Sequence, residues 1–420
     1  MLAGKKYINP KIYIALPVMD EPDYLSSVIK SIKKQTYKNY ELFICVNQPD
    51  DWWSQSEKVN ICENNLRSIE YLKSIREFPL TIIDRCSRGN GWKGKKYGVG
   101  WVRKTVMDAI NKIADKNDII ISLDADTIFS KNYFRSVINN FNQNTNAVAL
   151  SVPYYHNLTN DETANRAILR YEIYMRYYSI NLSIINNPYN FTALGSAIVL
   201  PVWAYRGING ITPHKSGEDF YFLQKLRKFG EIILWNNEKV YPAARFSNRV
   251  FFGTGPAMIK GSSGDWNSYP VYYYSLFEDV GKTYDLFSSL FYNDIETPMS
   301  DFLESQFNSN LWKPIRENCK TEDKFIKACC DKVDGLRILQ YLKSKQKEIN
   351  LTDEECLIEF LEKFYKNQIK DLNVNFDKFS FQDSKIEELN EIRNFLMNKE
   401  KEYKLIKNLA KRSQKAEIGN

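Results

Sequence analysis

The sequence predicts an α/β fold, a mostly parallel sheet flanked by helices, with a helical C-terminal region. Three observations predict it. Short apolar, β-rich runs recur roughly 30 residues apart. The segments between them space their apolar residues as helices do. The last 120 residues lose the strand runs and hold 45 charged residues, nearly balanced in sign.

The first strand is KIYIALPV (11–18), a buried run ending at a proline. Residues 24–34 follow with Leu25, Val28, Ile29 and Ile32 at helical spacing. ELFICVN (41–47) is a second buried strand, 59–78 a helix, and LTIID (80–84) a third strand. Residues 98–115 read as a helix, and DIIISLDAD (118–126) as a fourth strand ending in acids. Ligands of such sheets bind at the carboxyl ends of the strands. Those ends carry Pro17 to Glu21, Asn47-Gln48, Asp84-Arg85 and Asp124-Ala125-Asp126. The middle, 160–300, mixes a helix over 162–185 with short strands and loops. A domain of residues 1–300 and a helical region of 301–420 are therefore expected.

The 420 residues have a globular composition, with 43% hydrophobic and 26% charged residues. A net charge of +7 is too small for a non-specific nucleic-acid binder. Two histidines argue against a poly-His metal centre, and seven scattered cysteines without a CxxC pair read as reduced thiols. No run approaches the roughly 20 apolar residues of a spanning helix. The first residues show no apolar run of signal-peptide length. A cytoplasmic chain is expected, with peripheral contact at the inner face of a membrane left open.

Asp124-Ala125-Asp126 is the sharpest motif. Alternation along an extended segment would put both carboxylates on one face. Two such groups suit a hard divalent cation that also takes phosphate oxygens. GNGWKGKKYGVGWVRK (89–104) brings five glycines among Lys93, Lys95, Lys96, Arg103 and Lys104. Glycines let backbone approach an oxyanion, and cations offset a diphosphate. The run is neither GxxxxGK[ST] nor a strand-borne GxGxxG, which excludes the ATPase and dinucleotide readings. Glu218 and Asp219 open an amphipathic stretch. Acids there favour a helix dipole, and a carboxylate there could also accept a proton from a substrate hydroxyl. Arg245 and Arg249 are placed to grip a leaving phosphate. His214, five residues before Asp219, is a candidate third metal ligand or acceptor contact. The tyrosines Tyr272 to Tyr274 could stack on sugar rings or pack in a core.

In this order, these pieces resemble the family 2 glycosyltransferases of the GT-A fold, from Ile12 to about Gly255. PVMDE (17–21) is similar to that family's P-x-x-N-E, with Asp20 where Asn is usual. The helix ending in QTYKNYE before the second strand, Arg103, Asp124-Ala125-Asp126, and ALGSAIVLPVWAYRGINGI followed by GEDFYFLQKLRKFG resemble its further motifs. The resemblance implies a Rossmann-like sheet and transfer of a sugar from a nucleotide diphosphate-sugar to an acceptor hydroxyl, with inversion, in polysaccharide or glycoconjugate synthesis. It implies Mg2+ or Mn2+ on Asp126 aided by Asp124, and Asp219 as the base with Glu218 orienting the acceptor. Donor contacts are expected from Pro17, Asp20, Glu21, Asn47, Lys95, Lys96, Arg103, Asp124, Arg245 and Arg249. Where the family often has an acid that reads the base, Asn47 and Gln48 stand here, so uracil, guanine and thymine stay open. A saccharide or lipid-linked saccharide acceptor is expected, and a protein acceptor stays open. A homo-oligomer through the C-terminal helices, a retaining transferase and an inactive sugar-nucleotide-binding scaffold stay open as well.

Overall fold

Strand β1 (Ile12–Val18) is the hinge of the architecture, because its residues are buried and it pairs on both sides. A computed structural model describes residues 7–94, 96–214, 217–246, 254–307 and 310–418, with side chains as far as residue 405. Lys95 and Arg249 lie outside the described residues. The chain divides into two compact units, one of residues 1–164 and 193–259, the other of 165–192 and 260–420. The division differs from the expected boundary at residue 300. Helix 162–184 and the residues after 260 belong with the C-terminal helices.

In the first unit β1 is followed by α1 (Pro22–Lys33), β2 (Tyr40–Asn47), α2 (Val59–Ser74), β3 (Leu80–Arg85) and α3 (Val99–Ile113). Then come β4 (Ile119–Ser122), β5 (Thr127–Phe129), α4 (Tyr133–Gln143) and β6 (Ala149–Ser151). Helix α5 (Glu162–Ile184) leads away. The chain resumes with β7 (Ile198–Pro201), α6 (Val202–Gly207), α7 (Glu218–Phe229), β8 (Ile232–Ile233) and β9 (Val240–Pro242). Seven strands form one sheet in the order β3-β2-β1-β4-β7-β6-β8, and β5 pairs with β9. All its pairings are parallel except those of β7, which runs antiparallel to β4 and β6. The expected α/β fold with a mostly parallel sheet is therefore what the chain forms.

The sequence explains the central strands. Ile119, Ile120 and Ile121 are all fully buried, as a strand covered on both faces requires. Helix α1 turns Leu25, Val28, Ile29 and Ile32 inward, which is the spacing read from the sequence. Register then sets the edge. Val18 lies opposite Val46, Asn47 opposite Arg85, and Ala15 opposite Ser122. The carboxyl ends of β1, β2 and β3 therefore come level, and β4 ends opposite Ala15, three residues short of the end of β1. Because β7 runs the other way, its amino end also reaches this edge, with Ile198 opposite Ser122.

One element differs from its sequence reading. The strand expected over 118–126 stops at Ser122. Asp124, Ala125 and Asp126 form a turn into β5, closed by a hydrogen bond from the Thr127 N–H to the Asp124 carbonyl at 3.1 Å. The alternation that placed both carboxylates on one strand face does not apply.

The second unit is helical: most of α5, the last residues of α8 (Thr254–Ser262), α9 (Tyr274–Asp285), α10 (Phe287–Tyr292), α11 (Ser300–Phe307), α12 (Trp312–Asn318), α13 (Glu322–Lys332), α14 (Gly335–Lys345), α15 (Asp353–Tyr365) and α16 (Ile386–Ile418). Helix α15 begins at a capping box, Thr352 with Glu355. A buried ion network ties α16 to α5. Glu172 accepts from Arg176 (Nε, 3.2 Å) and Arg393 (3.3 Å), while Glu400 accepts from Arg176 (2.6 Å) and Lys404. Among the described residues, no helix is long and apolar enough to cross a membrane.

Candidate functional site

Helix α3 supplies the centre of the site. Its Arg103 is 1% exposed, yet carries a charge, so it must be paired. Nε donates to Glu218 Oε1 at 3.1 Å and Nη2 to Asp124 Oδ1 at 2.9 Å. Nη1 donates to the Gly195 carbonyl at 3.1 Å and to the Ser122 hydroxyl. Burial opposes the charge, but the Asp124 and Glu218 carboxylates outweigh it and hold the guanidinium firmly protonated. Four segments converge on this side chain: the end of β4, the turn after it, the segment before β7 and the start of α7. Gly195 is needed there. A Cβ at that position would stand 2.4 Å from Arg103 Nη2.

Glu218 and Asp219 occupy the first turn of α7, which begins after Gly217 in a left-handed conformation (φ 72°). Glu218 is buried and paired with Arg103. Asp219 is half-buried, and the backbone N–H of Phe220 donates to its Oδ1 at 2.8 Å. Desolvation and the adjacent Glu218 carboxylate push its pKa up to about 7, against the pull of Arg103. It is thus a carboxyl group poised near neutral pH with one oxygen held by the backbone.

The second carboxylate of the turn meets a second arginine. Arg245, just after β9, donates through Nη2 to Asp126 Oδ2 at 2.7 Å and to both oxygens of Glu21 at 2.7 Å. Its Nε also reaches Asp126 Oδ2, at 3.1 Å, and its guanidinium lies 4.0 Å from the Tyr24 ring centre. Glu21, the residue preceding α1, is 5% exposed. Asp20 before it has φ 55°, a left-handed backbone that Asn and Asp tolerate best among non-glycine residues. That explains why Asp can stand where the resemblance expects Asn. Asn64 and Asn65 of α2 hold it by 2.9 and 2.8 Å hydrogen bonds.

The structure brings Arg103, Asp124 and Glu218, beside Asp219, into one ion cluster and Arg245, Asp126 and Glu21 into a second, the two joined through the 124–126 turn. Other expected residues are placed differently. Asn47 is 5% exposed and spends its amide on structure: Nδ2 donates to the Val18 carbonyl at 2.8 Å, and Oδ1 accepts from Trp92 Nε1 at 3.1 Å. It therefore braces Trp92 of the glycine-rich loop. Asp84 is likewise spent on that loop. Burial works against its charge, but hydrogen bonds from Ser87, Cys86 and Asn90 hold it down to about 2. Pro17 is half-buried near the end of β1, and Lys96 is exposed with its ammonium 5.8 Å from the Trp101 ring. His214 was expected as a third metal ligand or acceptor contact. Its ring stacks on Tyr221, centroids 4.4 Å apart, and among the described residues no group of three His, Cys, Asp or Glu is assembled for a metal ion.

Sequence reading missed Ser122, Gly195, Tyr24 and Trp92. Ser122 lies within the fourth strand run and Gly195 within the ALGSAIVLPVWAYRGINGI segment, where neither was singled out. Tyr24 and Trp92 carry no spacing signal of their own.

No known family model matches the sequence, and no curated protein matches it. Solved structures do resemble the chain in fold. One is S. aureus TarS 1-349 in complex with UDP-GlcNAc, at 12% identity, covering 84% of this chain and 91% of that one, with a TM-score of 0.38. Another is GalNAc-T7 with UDP, GalNAc and Mn2+, at 12% identity, 76% and 56% coverage and a TM-score of 0.37. A third is the mannosyltransferase PcManGT from Pyrobaculum calidifontis in complex with GDP-Man and Mn2+, at 10% identity, 86% and 88% coverage and a TM-score of 0.35.

Proposed function

We propose that the chain is a metal-dependent glycosyltransferase that moves a sugar from a nucleotide diphosphate-sugar to an acceptor hydroxyl with inversion, in polysaccharide or glycoconjugate synthesis. The observation that carries this reading is the ion chain at the sheet edge. Arg103 joins Asp124 of the DxD turn to Glu218, whose neighbour Asp219 has a carboxyl raised toward neutrality. A diphosphate-side acid and a base-side acid are thus held by one buried cation.

In this reading Asp219 takes the proton from the acceptor hydroxyl. That oxygen forms a bond to the sugar's anomeric carbon as the bond from that carbon to the diphosphate oxygen breaks, and the nucleoside diphosphate leaves. Glu218, locked by Arg103, fixes where the helix presents Asp219. The residues suit a divalent cation. Among the described residues Arg103 and Arg245 pair with four carboxylates (Asp124, Glu218, Glu21 and Asp126), Asp219 stands beside them, and a hard cation needs few protein oxygens when substrate phosphates supply others. Bound at Asp126 with Asp124, Mg2+ or Mn2+ would bridge the donor's diphosphate and offset charge on the departing nucleotide. Arg103 is buried and paired, so its part is positioning rather than gripping phosphate. Donor-side cations are then Lys96 and Arg245, with Lys95 and Arg249 as the further sequence candidates.

The test is a thermal-shift screen of UDP-, GDP- and dTDP-sugars with Mn2+, since a ligand of the native state raises Tm. A Tm rise of several degrees for one nucleotide class, lost in Asp126→Asn, is expected. No shift with any of them would count against the reading.

A further inference from the structure

The carboxylate expected to hold the divalent cation is already engaged by a cation of the chain's own. Arg245 lies 2.7 Å from Asp126 Oδ2 and 2.7 Å from both oxygens of Glu21. Its guanidinium is packed against Tyr24. Asp126 Oδ1 has one weak partner, the Thr127 hydroxyl at 3.4 Å. Arg245 Nη1 makes no hydrogen bond among the described residues.

A divalent ion binds carboxylate oxygens at about 2.0–2.1 Å. Seated on Asp126, it would stand within a few ångströms of this guanidinium. Like charges that close repel, and the double charge of the dication doubles the repulsion. The two cations therefore exclude each other unless an anion comes between them. A diphosphate is such an anion: it can ligate the metal and also accept a fork of arginine N–H groups.

Resting on the transferase reading, we propose that Arg245 is an internal competitor of the divalent cation. It occupies Asp126 and Glu21 while no donor is bound, and it transfers to the diphosphate when donor and metal arrive together. Metal and donor binding are then coupled, and by linkage each strengthens the other. Metal alone binds weakly, because it must first displace a guanidinium held by three carboxylate oxygens and a ring.

The experiment is titration of the full chain with MnCl2 alone, following the free Mn2+ signal by electron paramagnetic resonance. It is then repeated with UDP, GDP or dTDP at matched free Mn2+. Without nucleotide, Arg245→Gln is expected to bind Mn2+ at least about tenfold more tightly than the wild type. Adding Asp126→Asn should remove that gain, which locates it. Arg245→Lys keeps the charge and guards against misfolding, and should retain the weak wild-type affinity. The nucleotide should raise Mn2+ affinity in the wild type more than in Arg245→Gln. Equal or weaker Mn2+ binding by Arg245→Gln would overturn the competition, as would Mn2+ binding by neither protein. Donor cleavage by the wild type in Mn2+ alongside equal or weaker Mn2+ binding by Arg245→Gln would leave the transferase reading standing. A tenfold gain in Arg245→Gln with no nucleotide bound by either protein would sink the transferase reading instead.

Discussion

Asp219 carries the sharpest residue-level consequence. Its carboxyl is raised to about 7, and a base must be deprotonated to act. Transfer measured as kcat/KM should therefore rise with pH through about 7 and level off above. Asp219→Asn should lower it by about 10²- to 10⁴-fold and abolish that rise. The same shift acts on stability. The folded state holds this proton more tightly than the unfolded chain does, so stability falls as pH rises from about 4 to about 7. Asp219→Asn should remove that fall, and its Tm relative to the wild type should be higher at pH 8 than at pH 5. Gly195 gives a second test. A methyl group there meets the Arg103 guanidinium. Gly195→Ala should cost about 1–3 kcal/mol in chemical denaturation and lower kcat through a displaced Arg103.

At the scale of elements, the antiparallel β7 matters because it brings Gly195 to Ser122 and so to Arg103. In the helical unit, the buried network of Glu172, Arg176, Arg393, Glu400 and Lys404 holds α16 to α5. Replacing one partner leaves an uncompensated buried charge. Arg176→Ala should destabilise that unit by about 3–5 kcal/mol, read as an early unfolding transition in urea. Much of this scale was legible in the sequence. The apolar runs of β1, β2 and β4 and the 3.6-residue spacing of α1 follow directly from burial on a two-sided sheet. The turn at 124–126 was not legible, since an acidic strand end and an acidic turn have the same letters. Nor were β5 and β9, whose pairing joins three residues to a segment more than a hundred positions away.

For the whole molecule, the net charge of +7 says little about the site, which has more carboxyl groups than guanidiniums. The candidate acids were legible because motif order placed them at one sheet edge. Their partners were not. Arg103 was expected to face a diphosphate and is instead the buried tie between the two acid motifs. Arg245 meets Glu21 across 224 positions, a contact only the fold creates. Asn47, expected at the nucleotide, braces Trp92, a contact the sequence does not signal. The most direct test of the central claim is release of nucleoside diphosphate from a panel of UDP-, GDP- and dTDP-sugars by the purified chain in Mn2+. The account predicts turnover of at least one donor, lost in Asp126→Asn and in chelator. Binding and turnover of none, by a folded protein with Mn2+ present, would contradict it.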